Sequence, residues 1–294
     1  MAKPSVGFIG LGQMGVPMVR NLVRHGFQVH GFDLDLGAYQ HLAQLGDFQP
    51  AKTAQELASQ CNFLILMLPD SGVVDHVLWA TEGGLASGLK SGTTLIDMSS
   101  SDPVRSRENA AKLQALGIHF LDAPVSGGVK RAVDGSLSIM IGGEKGAVEQ
   151  SMPILQAMGK TLIHVGTAGA GHAVKALNNY VSASGLVATC EALVAAEKFG
   201  IDPHLVNQVF NASTGKNNTT ENKVENFMLS GKFNSGFAMS LMRKDIRTAQ
   251  EFIERMQTSG EFSKSCLEIW GQADASLGKA ADHTAMYQYL RQLN

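Results

Sequence analysis

Short apolar runs alternate with amphipathic stretches through the first half of the chain, and glycine or proline bounds most of these runs. Runs of this length are typical of buried strands, and the stretches between them are long enough for helices. The alternation predicts strand–helix–strand units around a mostly parallel sheet. The predicted strands are Ser5–Ile9, Gln28–Phe32, Phe63–Leu68, Thr93–Met98, His119–Leu121 and Leu137–Ile141.

The pattern becomes helical after residue 165. A long helical periodicity runs from about His172 to Phe199, and Gly200 follows it as a helix-ending residue. All 8 prolines lie at or before Pro203, and helix interiors reject proline, so the remaining chain is expected to be helical. We predict an α/β domain over residues 1–165 and an all-α domain over residues 166–294, joined by a long helix.

Composition narrows the classes of function that this fold can serve. The 294 residues carry a net charge of -2 and no basic run, so a nucleic-acid partner is not expected. The longest apolar runs are far shorter than the ~18 residues of a membrane span. Three cysteines, odd in number and far apart, argue against a disulfide framework and a metal site, and indicate a reducing, cytoplasmic location.

A glycine motif follows the first predicted strand and leads into a predicted helix over Val16–His25. It consists of Gly10, Leu11, Gly12, Gln13, Met14 and Gly15. In this context Gly10 permits a tight turn, Gly12 lets a pyrophosphate approach the backbone, and Gly15 lets the helix pack on the strand. The helix N-terminus then offers N–H groups to the phosphates. The motif predicts a dinucleotide site on a Rossmann-type, doubly wound sheet.

The second predicted strand ends near Asp33, whose carboxylate would accept hydrogen bonds from the ribose hydroxyls of the adenosine half. A carboxylate there repels a 2′-phosphate, and no Lys or Arg occurs between Arg24 and Lys52 to bind one, so we predict NAD in preference to NADP. Ligands of open α/β sheets bind at the carboxyl ends of strands. We therefore expect further cofactor contacts at the ends of the next two strands, from Leu68, Pro69 and Ser100. The alternative is that these residues form ordinary turns.

Two later segments carry candidate chemistry. Ser126, Gly127 and Gly128 form a turn whose backbone N–H groups could bind a substrate carboxylate, although a plain turn has the same composition. Lys175 lies in the first turns of the long helix, with Asn178 and Asn179 on the same face. The positive end of a helix dipole, with burial, would favour a neutral amine that exchanges protons. The alternative is an ordinary surface lysine.

Taken together, these motifs resemble the β-hydroxyacid dehydrogenase family, which includes 3-hydroxyisobutyrate dehydrogenase and tartronate semialdehyde reductase. The resemblance spans residues 5 to about 290. It rests on Gly7–Gly15, Met67–Pro69, Asp97–Ser100, Asp122–Gly128, Gly169–Asn179, Leu241–Asp245 and Ala281–Ala285. It implies that Lys175 is the catalytic acid/base, that Asn179 and Asn178 bind substrate, and that Lys244 closes over the cofactor.

The resemblance also implies an NAD-dependent enzyme for a small hydroxy acid, assembled as a homodimer or homotetramer. The Leu241-Met242 pair favours the 3-hydroxyisobutyrate branch, with tartronate semialdehyde (2-hydroxy-3-oxopropionate) reduction as the nearest rival. An imine reductase and a non-catalytic reader on the same fold are the alternatives from other classes. An imine reductase would be expected to carry Asp or Tyr at the lysine position, and a reader to lack the Lys or the Asn or to carry an added recognition domain. Lys175 and Asn179 are both present.

Overall fold

The computed structural model describes residues 3–278 and 280–293. The chain divides into two compact units, Met1–Lys175 and Ala176–Asn294. The sequence places the domain boundary ahead of the long helix, at residues 165 and 166, whereas this division falls inside the helix. The expected class, an α/β sheet domain followed by a helical domain, is confirmed.

The first unit is built on one sheet of nine strands within the described part of the chain. They are β1 (Val6–Ile9), β2 (Val29–Phe32), β3 (Phe48–Pro50), β4 (Phe63–Leu66), β5 (Thr94–Asp97), β6 (His119–Asp122), β7 (Val125–Ser126), β8 (Leu137–Gly142) and β9 (Gly159–Gly166). The order β3-β2-β1-β4-β5-β6 is parallel throughout, β8 pairs antiparallel with β6 and β7, and β9 pairs parallel with β8. The strand order reverses at β1 and β4, where doubly wound sheets bind ligands.

Helices cover both faces of this sheet, which explains why its central strands read as continuous apolar runs. They are α1 (Gly15–Arg24), α2 (Ala54–Gln60), α3 (Ser71–Trp79), α4 (Pro103–Gln114), α5 (Gly128–Val133) and α6 (Lys145–Gln156). Along β4 and β5, Ile65 and Ile96 belong to one buried cluster, which includes Met18 of α1. Their neighbours Leu64 and Leu95 belong to a second cluster, formed with α2, α3 and α4.

Two predicted strands are shorter than expected. The predicted run to Leu68 ends at Leu66, and the predicted run to Met98 ends at Asp97. Beyond these points the chain turns, and Leu68 N donates to Ser99 Oγ at 2.9 Å instead of to a neighbouring strand. The sequence did not predict β3, β7 or β9. Most side chains of β9 are exposed or half-buried, so no apolar run marks this strand.

Within its described residues, the second unit is helical apart from its loops and an isolated β-bridge between Ala238 and Asp282. Its helices are most of α7 (Ala170–Phe199), then α8 (Pro203–Ala212), α9 (Asn218–Asn222), α10 (Met239–Arg255), α11 (Glu261–Leu277) and α12 (Met286–Gln292). Leu186 and Leu193 of α7 are buried with Ile246 of α10 and Trp270 of α11. The apolar centre of α7 is therefore part of this unit's own core.

Candidate active site

The glycine motif forms the turn between β1 and α1, and its three glycines meet different surroundings. A Cβ on Gly10 would overlap the carbonyl of Met67, and φ of Gly10 is +99°. A Cβ on Gly15 would overlap the carbonyl oxygen of Gly10, so both positions require glycine for the fold itself. A Cβ on Gly12 would meet nothing within 4 Å. Gly12 therefore leaves open space, which is what close approach of a phosphate to the backbone requires.

No side chain at the start of α1 accepts a hydrogen bond from the free N–H groups of its first turn. Met14 at the N-cap makes no side-chain capping bond, and the first turn holds no acidic residue. Within the same unit, Asp33 lies at the end of β2, where its Oδ2 accepts from Leu11 N at 2.5 Å and its Oδ1 from Asp35 N at 2.8 Å. Carboxylate oxygens can each accept a second bond, so Asp33 can still bind ribose hydroxyls. These residues fit a dinucleotide.

The loops after β4 and β5 are joined by Ser99. Its Oγ accepts from Leu68 N at 2.9 Å, and its own N–H donates to Asp97 Oδ1 at 3.0 Å. Leu68 and Ser100 are half-buried at this edge of the sheet, and Pro69 is exposed. The two loops therefore form one bonded edge at the carboxyl ends of neighbouring strands, as the dinucleotide prediction requires.

The predicted carboxylate-binding turn lies where β7 leads into α5. Gly127 has φ +130° and Gly128 has φ +65°, conformations that side-chain-bearing residues rarely adopt. Ser126 is half-buried and both glycines are exposed. The paired glycines are therefore needed for the turn, and its backbone faces solvent.

Lys175 is half-buried in the second turn of α7 and is the last residue of the first unit. Three further predicted residues belong to the second unit: Asn178, Asn179 and Lys244. Asp245 contacts two of them. Asn179, 7% exposed, donates from Nδ2 to Asp245 Oδ2 at 2.5 Å, and Lys244 Nζ lies 3.4 Å from Asp245 Oδ1. Asn178, which is exposed, donates to Asn179 Oδ1 at 3.1 Å.

Asp245 is a candidate functional residue to which the sequence assigned no role. It is buried, at 4% exposure, and its carboxylate fixes the orientation of the Asn179 amide. In sequence, an aspartate that follows a lysine in an amphipathic helix is predicted to lie on the solvent-exposed face. Its only sequence signal is the motif of residues 241–245, which the resemblance covers.

The segment that leads into α10, and so to Lys244, is held by a clamp formed by Asp282 and His283. Asp282 Oδ2 accepts from Gly236 N at 2.8 Å, and His283 donates from N and Nδ1 to Phe237 O at 2.9 and 3.0 Å. Burial, with repulsion from Lys223, lowers the pKa of His283 from 6.5 to about 4 despite the opposing effect of Asp282. The histidine is therefore neutral at physiological pH.

Residues 3–278 and 280–293 contain neither a metal-binding cluster nor a membrane-spanning helix. No cluster of three or more His, Cys, Asp or Glu side chains in this part of the chain could hold a metal ion. In the same residues, no helix combines the length and apolar character needed to cross a bilayer.

Comparison with known proteins agrees with the geometry of both units. Residues 5–166 match the model of the NAD binding domain of 6-phosphogluconate dehydrogenase. Residues 169–290 match the model described as NAD-binding of NADP-dependent 3-hydroxyisobutyrate dehydrogenase. The chain belongs to the β-hydroxyacid dehydrogenase family.

Similar proteins of this family have related names. The 2-(hydroxymethyl)glutarate dehydrogenase of Eubacterium barkeri is 39% identical over 84% of this chain and 81% of its own. The 2-hydroxy-3-oxopropionate reductase of Escherichia coli K12 is 35% identical over 97% of this chain and 96% of its own. The 3-hydroxyisobutyrate dehydrogenase of Mycobacterium tuberculosis, solved with L-serine, superposes with a TM-score of 0.91 at 32% identity, covering 98% of this chain and 99% of its own. This β-hydroxyacid dehydrogenase family member is thus an oxidoreductase with NAD(P)-binding domains.

Proposed function

We propose that this protein is an NAD-dependent dehydrogenase that interconverts a small 3-hydroxy acid and its semialdehyde, with 3-hydroxyisobutyrate as the reference substrate. The observation that carries the proposal is Lys175, a half-buried amine in the second turn of α7. The three relatives described above support it, since each is named for a compound with oxygen on the carbon β to a carboxylate.

Different residues of this chain have separate roles in the proposed reaction. The N–H groups at Ser126, Gly127 and Gly128 bind the substrate carboxylate, and the Asn179 amide, with Asn178 beside it, orients the hydroxyl. Lys175 Nζ accepts the hydroxyl proton during oxidation and returns a proton to the carbonyl oxygen during reduction. Holding these groups in one geometry is the main contribution of the protein.

A bound nicotinamide dinucleotide supplies the hydride acceptor for this chemistry. Its pyrophosphate would be held at the turn of residues 10–15 and its adenosine ribose by Asp33. Lys244 of α10 would contribute a further contact to the cofactor. The loops after β4 and β5 would complete its binding site with Leu68, Pro69 and Ser100.

The test is NADH formation by the purified protein with a panel of 3-hydroxy acids, together with the reverse reaction with their semialdehydes. The oxidation panel includes 3-hydroxyisobutyrate, 2-(hydroxymethyl)glutarate, glycerate and threonate. The semialdehydes assayed in the reverse direction include 2-hydroxy-3-oxopropionate. Lys175→Ala should keep dinucleotide binding and lose about 10²-fold or more of kcat. Lys145→Ala, at an exposed lysine of α6, is the control and should be unchanged. Near wild-type turnover by Lys175→Ala would remove Lys175 from the mechanism.

The choice of NAD over NADP is part of the proposal. Asp33 supports it, because its carboxylate would lie where NADP carries a 2′-phosphate, whereas the model matched by residues 169–290 is described as NADP-dependent. We expect kcat/KM to favour NAD by at least tenfold, about 1.4 kcal/mol. Asp33→Ser should bring the two cofactors closer together. A wild-type preference for NADP would contradict this assignment.

We also propose a homodimer or homotetramer that works in the cytoplasm. Apolar side chains of the helical unit are exposed in the single chain, with Val181, Leu205 and Val209 at 66, 55 and 60%. The three cysteines carry no disulfide, which suits a reducing compartment. Light scattering of the purified protein and fractionation of the source cells test these two points.

A further inference from the structure

A fully buried histidine, His172, lies in the first turn of α7, three residues before Lys175. It is 1% exposed, and both of its ring nitrogens have partners. Nε2 lies 3.1 Å from the carbonyl oxygen of Ser99, and Nδ1 lies 2.7 Å from Ser106 Oγ of α4. Because a carbonyl oxygen can only accept, Nε2 carries a proton and donates it to Ser99.

Two buried carboxylates surround this ring. Asp122 ends β6 and accepts from the N–H groups of Gly169 at 2.7 Å and His172 at 2.8 Å, so it caps the start of α7. Asp97 ends β5 and accepts from Ser99 N at 3.0 Å and Ser101 Oγ at 2.9 Å. Oxygens of Asp122 and Asp97 lie 3.8 and 3.9 Å from the two ring nitrogens of His172.

Burying two carboxylates and an imidazole costs solvation free energy, which their hydrogen bonds only offset. A buried polar network whose members are all bonded admits a single arrangement, because any shift leaves a buried group without a partner. This network joins the ends of β5 and β6 and the helix α4 to the first turn of α7. Through Ser99, whose Oγ accepts from Leu68 N, it also reaches the loop after β4.

We propose that His172 is a positioning residue that sets the location of Lys175 relative to the dinucleotide-binding loops. The inference rests on the proposed function for the role of Lys175. Residues three apart lie on one face of a helix, about 4.5 Å apart along its axis, so a displacement of the first turn moves Lys175 with it. A misplacement of about 1 Å in an active site can cost ~10²-fold in rate.

The chain offers a matched pair of serines for the test. Ser106 in α4 and Ser151 in α6 are both buried, and each places Oγ within 2.9 and 2.8 Å, respectively, of the carbonyl oxygen four residues earlier. Only Ser106 also contacts His172. The variants are Ser106→Ala, Ser151→Ala, His172→Leu and His172→Gln, the last of which retains a donor for the Ser99 carbonyl. Each is measured for kcat, KM, dinucleotide Kd and hydrogen exchange of the amides at 169–175.

We expect Ser106→Ala to lower kcat about tenfold and His172→Leu to lower it further, with the dinucleotide Kd changed less than about twofold. Exchange at 169–175 should accelerate in both variants. Ser151→Ala should match the wild type in all four measurements, and His172→Gln should recover much of the loss of His172→Leu.

Wild-type kcat in Ser106→Ala, or an equal loss in Ser151→Ala, would overturn the inference. Unchanged exchange at 169–175 in both network variants would overturn it as well. If the wild type oxidises no hydroxy acid while the exchange differences appear, the proposed function fails and the fixing of α7 by His172 is supported.

Discussion

His283 should make the stability of this protein depend on pH in a direction that the structure determines. The side chain is 4% exposed, its Nδ1 donates to the Phe237 carbonyl at 3.0 Å, and its ring meets the Phe237 ring edge-on with centroids 5.7 Å apart. Burial and the nearby Lys223 lower its pKa to about 4, against 6.5 for an unperturbed histidine. The folded state therefore binds a proton at this site less readily than the unfolded chain.

The sign and size of the effect follow from that difference. A depressed folded-state pKa gives a contribution that is complete above the unfolded pKa of 6.5 and is lost as the pH falls toward 4. Each unit of pH in this window is worth about 1.4 kcal/mol, so from pH 7.5 to pH 5 the loss from His283 is about 2 kcal/mol. Protonation at pH 5 would place an imidazolium in a buried site close to Lys223.

Urea unfolding at pH 7.5 and pH 5, followed by circular dichroism, measures this loss in the wild type and in His283→Asn. Asparagine can still donate to the Phe237 carbonyl but does not titrate. The variant should therefore lose about 2 kcal/mol less than the wild type between the two pH values, and the other histidines cancel in the comparison. Equal losses in the two proteins would show that His283 is not buried as a neutral group.

Three further predictions test other parts of the site. Gly12→Ala should fold normally and weaken NAD binding, because its Cβ enters open space, whereas Gly15→Ala should lower the melting temperature, because its Cβ overlaps the carbonyl of the turn. Calorimetry and NAD titration separate the two, and equal melting temperatures would contradict the argument. Asp245→Ala should raise KM for the hydroxy acid about tenfold, because it removes the acceptor of the Asn179 amide; an unchanged KM would remove that link. The three buried cysteines should resist a thiol reagent at pH 8 until the protein unfolds, since burial raises the pKa of Cys61 to about 11, and rapid labelling of the native protein would contradict this.

The order of the elements could be predicted from sequence because both faces of the sheet are covered. Central strands such as β1 and β4 then become continuous apolar runs, which the sequence displays directly. The edge strand β9 lacks such a run, since most of its side chains are exposed or half-buried. A strand that is exposed in this way leaves no apolar pattern in the sequence.

The glycine turn could also be predicted from the sequence, because backbone geometry restricts the residue type wherever a Cβ does not fit. The Met67 carbonyl of a neighbouring segment requires glycine at position 10, and the Gly10 carbonyl of the same turn requires glycine at position 15. Gly127 and Gly128 are required by their positive φ. Such constraints leave a local signature that one sequence can show.

The polar residues that hold the site were decided by tertiary structure alone. A histidine or an aspartate in a helix looks the same in sequence whether it faces solvent or a buried partner. His172 meets Ser99 and Ser106, and Asp245 meets Asn179, across separations of 66 residues or more. The sequence by itself determined the turn for the dinucleotide and the candidate Lys175. The fold decided which buried side chains orient them, because a hydrogen bond exists only once both partners have been brought together.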